Sequence, residues 1–102
     1  MTTPITHSVF FKLHHPENSP QEAAFLEDSF QILSTIPGVE QFEVLKETSP
    51  KNPYRFGFAM KFKDQTAYDA YSAHPDHTAY VENRWLKEVE KFQEIDHQKI
   101  RQ

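Results

Sequence analysis

The chain has 102 residues and a formal net charge of −4, with 15 Asp and Glu against 11 Lys and Arg. This length suffices for one core, so we expect a single domain over residues 1–102. The acidic balance, without any cluster of Lys and Arg, argues against nucleic acid as a partner. The chain has no cysteine, which excludes disulfides, thiolate nucleophiles and cysteine-bound zinc.

The N-terminal residues contain no basic segment followed by an apolar one. No apolar run approaches the ~20 residues that a membrane-spanning helix needs. We therefore expect a cytoplasmic protein that does not enter a membrane. Nine Phe and four Tyr residues predict a core built largely from aromatic rings.

Residues 6–13 are predicted to form the first strand, because apolar and polar residues alternate and β-branched and aromatic side chains are frequent. One face of this strand carries His7, Val9, Phe11 and Leu13. Phe10 lies on the opposite face, so both faces are partly apolar. A strand of this kind is expected to be covered on both sides.

A helix is predicted after the first loop. Ser19 is a suitable N-cap, and Pro20 suits the first helical position, where its missing N–H is not needed. We expect the helix to run from Pro20 to about Thr35 and to stop before Pro37-Gly38. Its sheet-facing stripe is predicted from spacings of three and four residues: Ala23, Leu26, Phe30 and Leu33.

Two further strands are predicted over residues 40–47 and 54–63. The second shows the clearer alternation, with one apolar face made of Tyr54, Phe56, Phe58, Met60 and Phe62. The segment between the strands contains Pro50 and Pro53 and is predicted to be a loop.

The C-terminal part is predicted to contain two helices and a last strand. Asp64 can cap a helix that runs to Ala73 and that Pro75 ends. A second helix is expected from Asp76 to about Glu90, with Val81, Trp85 and Val89 on its apolar stripe. The last strand is expected within residues 91–100, with Phe92, Ile95 and His97 as its less polar members.

This order of elements predicts an α+β fold of the ferredoxin-like type, an antiparallel four-stranded sheet with helices on one face. The helices cover one face only, yet the first strand is apolar on both. We therefore expect a homodimer that pairs the open sheet faces. The alternative is a monomer whose open face is solvated, as antiparallel sheets permit.

Residues 71–77 bring proton-transfer groups together around a proline corner, in the sequence Tyr71-Ser72-Ala73-His74-Pro75-Asp76-His77. His77 is a candidate general base, since an imidazole titrates near neutral pH. Tyr71 is a candidate hydrogen-bond donor to a developing enolate oxygen. The alternative interpretation is structural, with His77 satisfying a helix start and Tyr71 filling the core.

A metal site is not expected. Pro75 separates His74 from His77, so the two do not share one helix, and the chain has no HExxH motif. We expect no other cofactor.

Three segments resemble the Dabb family, the stress-responsive A/B barrel domains. They are residues 7–13, the Ile36-Pro37-Gly38-Val39 segment, and above all the corner from Tyr71 to His77, followed by Val81. The resemblance implies a ferredoxin-like fold whose two sheets close into a barrel across a dimer. It also implies diverse functions, from stress-linked and uncharacterised members to polyketide cyclases that act without a cofactor; lactone isomerases are related barrels.

The resemblance to the cyclases implies roles for three residues: His77 as base, Tyr71 as its partner and His7 as a pocket residue. Phe56 stands where the cyclases have another pocket histidine, which implies a more apolar pocket here. Two hypotheses follow. One is a protein that binds a small apolar or carbonyl ligand and could act as an acid/base enzyme. The other is a structural dimer whose interior is filled by Phe56, Phe58 and Met60.

Overall fold

The computed structural model describes residues 3–101; residues 1, 2 and 102 of the expected domain lie outside this part. The strands are β1 (Ile5–Leu13), β2 (Glu40–Lys46), β3 (Phe56–Phe62) and β4 (Val89–His97). The helices are α1 (Pro20–Leu33), α2 (Gln65–Ala73), α3 (Pro75–Tyr80) and α4 (Leu86–Glu88), with a π-helical turn over Val81–Trp85 that joins the last two. Within residues 3–101, no helix is both long enough and apolar enough to cross a bilayer.

The strands form one antiparallel sheet in the order β2-β3-β1-β4. The central strand β1 pairs with β3 on one side and β4 on the other, so Val9 lies opposite both Phe58 and Glu94. The predicted ferredoxin-like α+β fold is confirmed. The register determines which residues of the neighbouring strands β3 and β4 can share a site with β1.

The core lies between the sheet and the helices and is largely aromatic, as predicted. Phe11 on β1 is fully buried, and its ring centroid lies 4.7 Å from that of Phe58 and 5.1 Å from that of Trp85. Phe25 on α1 packs against Phe11 edge to face at 5.8 Å. Contacts of this geometry add specificity to the burial of large apolar area.

The predicted stripe of α1 is right at Leu33, which is buried, and at Leu26, which is partly buried against the core, but wrong at the other two positions. Ala23 is exposed and Phe30 is 38% exposed, whereas the buried positions are Glu22, Phe25, Ser29 and Leu33. The pattern failed because it assigned polar residues to solvent. Ser29 instead shares a buried hydrogen bond of 2.7 Å with the Tyr80 hydroxyl, which removes the cost of burying both.

The ends of α1 follow local chemistry closely. Ser19 is the N-cap, and its hydroxyl accepts a hydrogen bond from the backbone N–H of Glu22 at 3.1 Å. The helix ends at Leu33, slightly earlier than predicted. Gly38 follows with a φ of +94°, a left-handed conformation that glycine adopts without strain.

The expected helix from Asp76 to Glu90 is wrong at both ends. The helix begins at Pro75, with the ring Nδ1 of His74 accepting from the Asp76 N–H at 3.1 Å. It ends at Glu88, and Val89 begins β4 instead of continuing the apolar stripe. Val89 pairs with Leu13 in the sheet. Pairing with a strand that is distant in sequence therefore overrides the helical periodicity.

The register with β1 fixes the two faces of β4, which the sequence left unassigned. Phe92 lies opposite Phe11 and shares the helix side of the sheet, whereas Ile95 lies opposite Ser8 on the other side. Because side chains alternate along a strand, Glu94 and Asp96 lie on the same side of β4 as Phe92, the helix side. Two carboxylates are thus directed toward the helices.

The second face of the sheet, named here the outer face, carries an apolar centre made of Phe10, Leu45, Gly57, Ala59 and Ile95. Ile95 is 45% exposed. The ring of Phe10 packs so closely on Gly57 that a Cβ there would lie 2.6 Å from the ring Cδ1. Glycine at this position lets the ring lie flat along the sheet.

Candidate functional site

A cavity of about 260 Å³ lies between the helices and the sheet. Much of its wall is apolar and comes from Val9, Phe58, Met60, Trp85 and Phe92. The polar groups on its lining include two imidazoles, two phenols and a carboxylate. A concave, mostly apolar site with a few convergent polar groups is the usual form of a small-molecule site.

All three predicted site residues line this cavity: His7, Tyr71 and His77. His7 comes from β1, Tyr71 from the last turns of α2, and His77 from the first turn of α3. The corner at Pro75 turns the chain, which brings the ring centroids of Tyr71 and His77 to 4.6 Å. The centroids of His7 and Tyr71 are 6.4 Å apart.

His77 is half-buried, and this burial lowers the pKa of its imidazole below the ordinary 6.5. A hydrogen bond with the backbone of Ser72 opposes the shift, as does the negative charge of Glu94, while His7 adds to it. The net shift favours the neutral ring at neutral pH. A neutral imidazole can accept a proton at its unprotonated ring nitrogen.

Tyr71 is 2% exposed, and burial is the main reason that the pKa of its phenol is raised. The negative charge of Glu94 adds to the effect. The hydroxyl therefore stays protonated over the physiological range and can serve as a hydrogen-bond donor.

His7 is held by a group that the sequence analysis missed. Its Nδ1 lies 2.5 Å from Oδ1 of Asp96, and the Tyr68 hydroxyl donates to Oδ2 of the same carboxylate at 2.7 Å. Since a carboxylate can only accept, Nδ1 of His7 is the donor and Nε2 is the nitrogen left for the cavity. Burial, and then the hydrogen bond to Asp96, raise the pKa of Tyr68, which keeps its proton.

Tyr68 and Asp96 could have been found from spacing once the register was known. Tyr68 precedes Tyr71 by one helical turn, a spacing for which the sequence analysis considered only core packing. Glu94 and Asp96 lie two and four positions from Phe92, at the period of a strand. The sequence does not state which face of β4 meets the helices, so these carboxylates gave no signal.

The π-helical turn forms one side of the cavity through Val81 and Trp85. A π-turn widens the helix locally, and such turns are frequent at functional sites. Phe56 does not line this cavity and packs instead near Phe11, with ring centroids 6.2 Å apart. Among the described residues, no three His, Asp or Glu side chains are grouped so that they could hold a metal ion.

Comparison with solved structures gives a close relative. A Dabb family protein with a ferredoxin-like fold from Mesorhizobium loti is 52% identical, with a TM-score of 0.92, and the match covers 94% of this chain and 96% of that one. A dimeric ferredoxin-like protein of unknown function from Thermobifida fusca is 17% identical, with a TM-score of 0.76 and coverage of 97% and 93%. The hydroxynitrile lyase from Passiflora edulis is 11% identical, with a TM-score of 0.81 and coverage of 100% and 98%.

The last two structures share the fold with this chain, and their low identity supports nothing finer. No curated protein matches the sequence. The family model of the stress responsive A/B barrel domain matches residues 5–98, nearly the whole chain. The segments from His7 to Leu13 and from Tyr71 to His77 lie within this match. The chain belongs to the Dabb family of stress responsive A/B barrel domains.

Proposed function

We propose that this protein binds a small, mostly apolar molecule with a carbonyl oxygen in the cavity beside His77. The observation that supports this most directly is the convergence of His7, Tyr71 and His77 on one cavity whose wall is otherwise largely apolar. The phenol of Tyr71 can donate to the ligand oxygen, and the apolar wall can take up a ring or a short alkyl chain.

The dimensions of the cavity favour a small ligand. A volume of about 260 Å³ is just below the range of roughly 300–1,000 Å³ in which most ligand sites fall. A molecule with one ring fits this space better than a large cofactor. A purely structural module would be expected to have a filled interior. Here Phe58 and Met60 form part of the cavity wall and leave space beside them.

Acid/base catalysis on that ligand is the second candidate function. It is favoured by the lowered pKa of His77 together with the contact between its ring and that of Tyr71. A proton on the carbon next to the carbonyl would move to the free ring nitrogen of His77. The electron pair of the broken C–H bond would form the C=C bond of the enolate, and the π pair of the carbonyl would move to its oxygen, which accepts a hydrogen bond from Tyr71. No cofactor takes part in this step.

We further infer that two copies pair through the outer face. Phe10, Leu45 and Ile95 form an apolar patch there, and Ile95 is 45% exposed in the single chain. Apolar patches of this kind commonly mark association surfaces. The structurally similar Thermobifida fusca protein is dimeric, which supports the same assembly for this chain.

The binding proposal can be tested with acetophenone and ethylbenzene, which differ in the carbonyl oxygen. Ligand-observed NMR gives both affinities, and the indole N–H of Trp85, the one tryptophan of the chain, reports from the cavity wall. We expect acetophenone to bind more tightly. The Tyr71→Phe variant should lower its affinity about two- to tenfold, the value of one hydrogen bond, and leave ethylbenzene binding unchanged.

His97→Ala is a matched control for His77→Ala, because His97 is an exposed histidine on β4 that does not line the cavity. Absence of binding of both probes to the wild-type protein would contradict the proposal. The catalytic candidate has its own readout, the exchange of the acetophenone methyl protons for deuterium. His77→Ala should abolish protein-dependent exchange, and His97→Ala should not.

A further inference from the structure

Glu94 is a cavity-lining residue to which the proposed chemistry gives no role. It lies on β4 opposite Val9, on the helix side of the sheet, and it lines the same cavity as His77. Among residues 3–101, no group forms a hydrogen bond or an ion pair with its carboxylate. Its charge acts on both Tyr71 and His77, so it is close to the groups that would hold a ligand oxygen.

Glu94 gives the cavity a negative charge. No Lys or Arg is among the described residues of the lining. The carboxylate of Asp96, on the same side of β4 as Glu94, is occupied by His7 and Tyr68. A carboxylate with no protein partner at the rim of an apolar cavity attracts a cation or a hydrogen-bond donor and repels an anion.

We propose that Glu94 determines specificity, selecting a ligand that carries an ammonium or other donor group next to its apolar part. This inference rests on the proposed binding function and names the ligand class more closely: a small apolar carbonyl compound that also carries an amine. In this arrangement the apolar part lies against Phe58, Met60 and Trp85. The charged group lies toward Glu94, where it stays partly hydrated and avoids the cost of full burial.

Glu94 is exposed, so its effect on affinity should be modest. An ion pair at such a site is expected to change affinity about two- to fivefold, and the effect should weaken as salt is added. Selectivity in this range is measurable when the probes share one shape and differ in charge. Benzylamine, benzyl alcohol and benzoate provide such a set.

The experiment measures the affinities of these three probes by ligand-observed NMR at low salt. Wild-type protein is compared with Glu94→Gln, Glu94→Lys and the control Glu82→Gln, which removes the same charge from an exposed residue of the π-helical turn outside the lining. We expect Glu94→Gln to leave benzyl alcohol binding unchanged and to lower the ratio of amine to alcohol affinity about threefold. Glu94→Lys should reverse the preference in favour of benzoate.

Binding of the neutral alcohol distinguishes a failure of the proposed role of Glu94 from a failure of the proposed binding function. If benzyl alcohol binds and Glu94→Gln leaves the ratio of amine to alcohol affinity unchanged, the role of Glu94 is wrong while the cavity remains a binding site. If Glu82→Gln lowers the ratio as much as Glu94→Gln does, the effect belongs to net charge and the role of Glu94 is again wrong. If the three probes fail to bind while acetophenone binds, the role of Glu94 is wrong; if acetophenone also fails to bind, the binding function itself fails.

Discussion

His7 donates its Nδ1 proton to Asp96 across 2.5 Å, although 89 positions separate the two residues in the chain. They are direct partners in the antiparallel pairing of β1 with β4. The carboxylate therefore reaches the imidazole from the neighbouring strand, and the Tyr68 hydroxyl holds it there from α2. Such a partner fixes the orientation of the ring and the nitrogen that carries the proton.

Replacing Asp96 by Asn should therefore disturb the ring of His7. An amide can present its N–H groups to Nδ1, so we expect the proton to shift in part to Nε2. Nitrogen chemical shifts of the His7 ring report this change directly. Asp69→Asn is the control, since Asp69 is an exposed residue of α2 whose only hydrogen-bond partner within residues 3–101 is Gln65. An unchanged His7 ring spectrum in Asp96→Asn would contradict the assigned role.

The lowered pKa of His77 predicts a dependence of stability on pH. Because burial lowers its pKa below the ordinary 6.5 only in the folded protein, the unfolded chain takes up a proton at higher pH than the folded one does. Stability is thus greatest above 6.5 and falls as the pH drops toward the folded value. His77→Gln should flatten this part of the profile.

Urea unfolding at about pH 7.5 and at about pH 5.5 measures the difference in the free energy of unfolding between the two conditions. Wild-type protein should lose more stability on acidification than His77→Gln does. The exposed residue His97 provides the control variant His97→Gln, which should behave as wild type does. Equal losses in wild type and His77→Gln would show that the ring is not held neutral by burial.

Glu88 at the end of α4 is predicted to be important for stability. Burial alone would raise the pKa of its carboxyl, but hydrogen bonds from Arg84 and His15 outweigh burial and lower it. Arg84 also bonds to Asp28 of α1 at 2.8 Å, so the network joins the C-terminal helices to α1. His15 and Glu88 are thus partly buried partners.

We expect Glu88→Gln to lower the free energy of unfolding by about 1–2 kcal/mol at neutral pH, since it weakens two charge-assisted hydrogen bonds. The contribution of a carboxyl with a lowered pKa is present above the unfolded value of 4.5 and is lost as the pH falls through the folded value. The difference between variant and wild type should therefore shrink in acid. Urea unfolding checks both points, with Glu82→Gln as the control.

Phe10 is the residue whose replacement should separate the proposed dimer. Phe10→Lys places a charge at the apolar centre of the outer face, and we expect the dimer to weaken by more than about tenfold. Light scattering during size exclusion measures the mass in solution. Val44→Lys is the control, because Val44 is 42% exposed and shares the helix side of the sheet with Phe58. A wild-type monomer at micromolar concentration would contradict the assembly itself.

Local sequence signals predicted the parts of the fold that depend on neighbouring residues. The N-cap at Ser19, the cap at Asp64 and the break at Pro75 lie where they were expected, because capping and proline geometry act over three or four positions. The apolar face of β1 was also correct. Errors appeared where polar residues are buried, as at Glu22 and Ser29, since their partners come from other elements.

The candidate site shows the same division. The sequence by itself determined the family signature from Tyr71 to His77, the ferredoxin-like order of strands and helices, and an aromatic core, because these follow from residue order and periodicity. Only the tertiary structure decided that Asp96 meets His7, that Glu94 reaches the cavity of His77, and that Phe58 and Met60 leave a space beside them. The reason is the register of β4: one step along a strand turns every side chain to the opposite face, and pairing with β1 selects between the two.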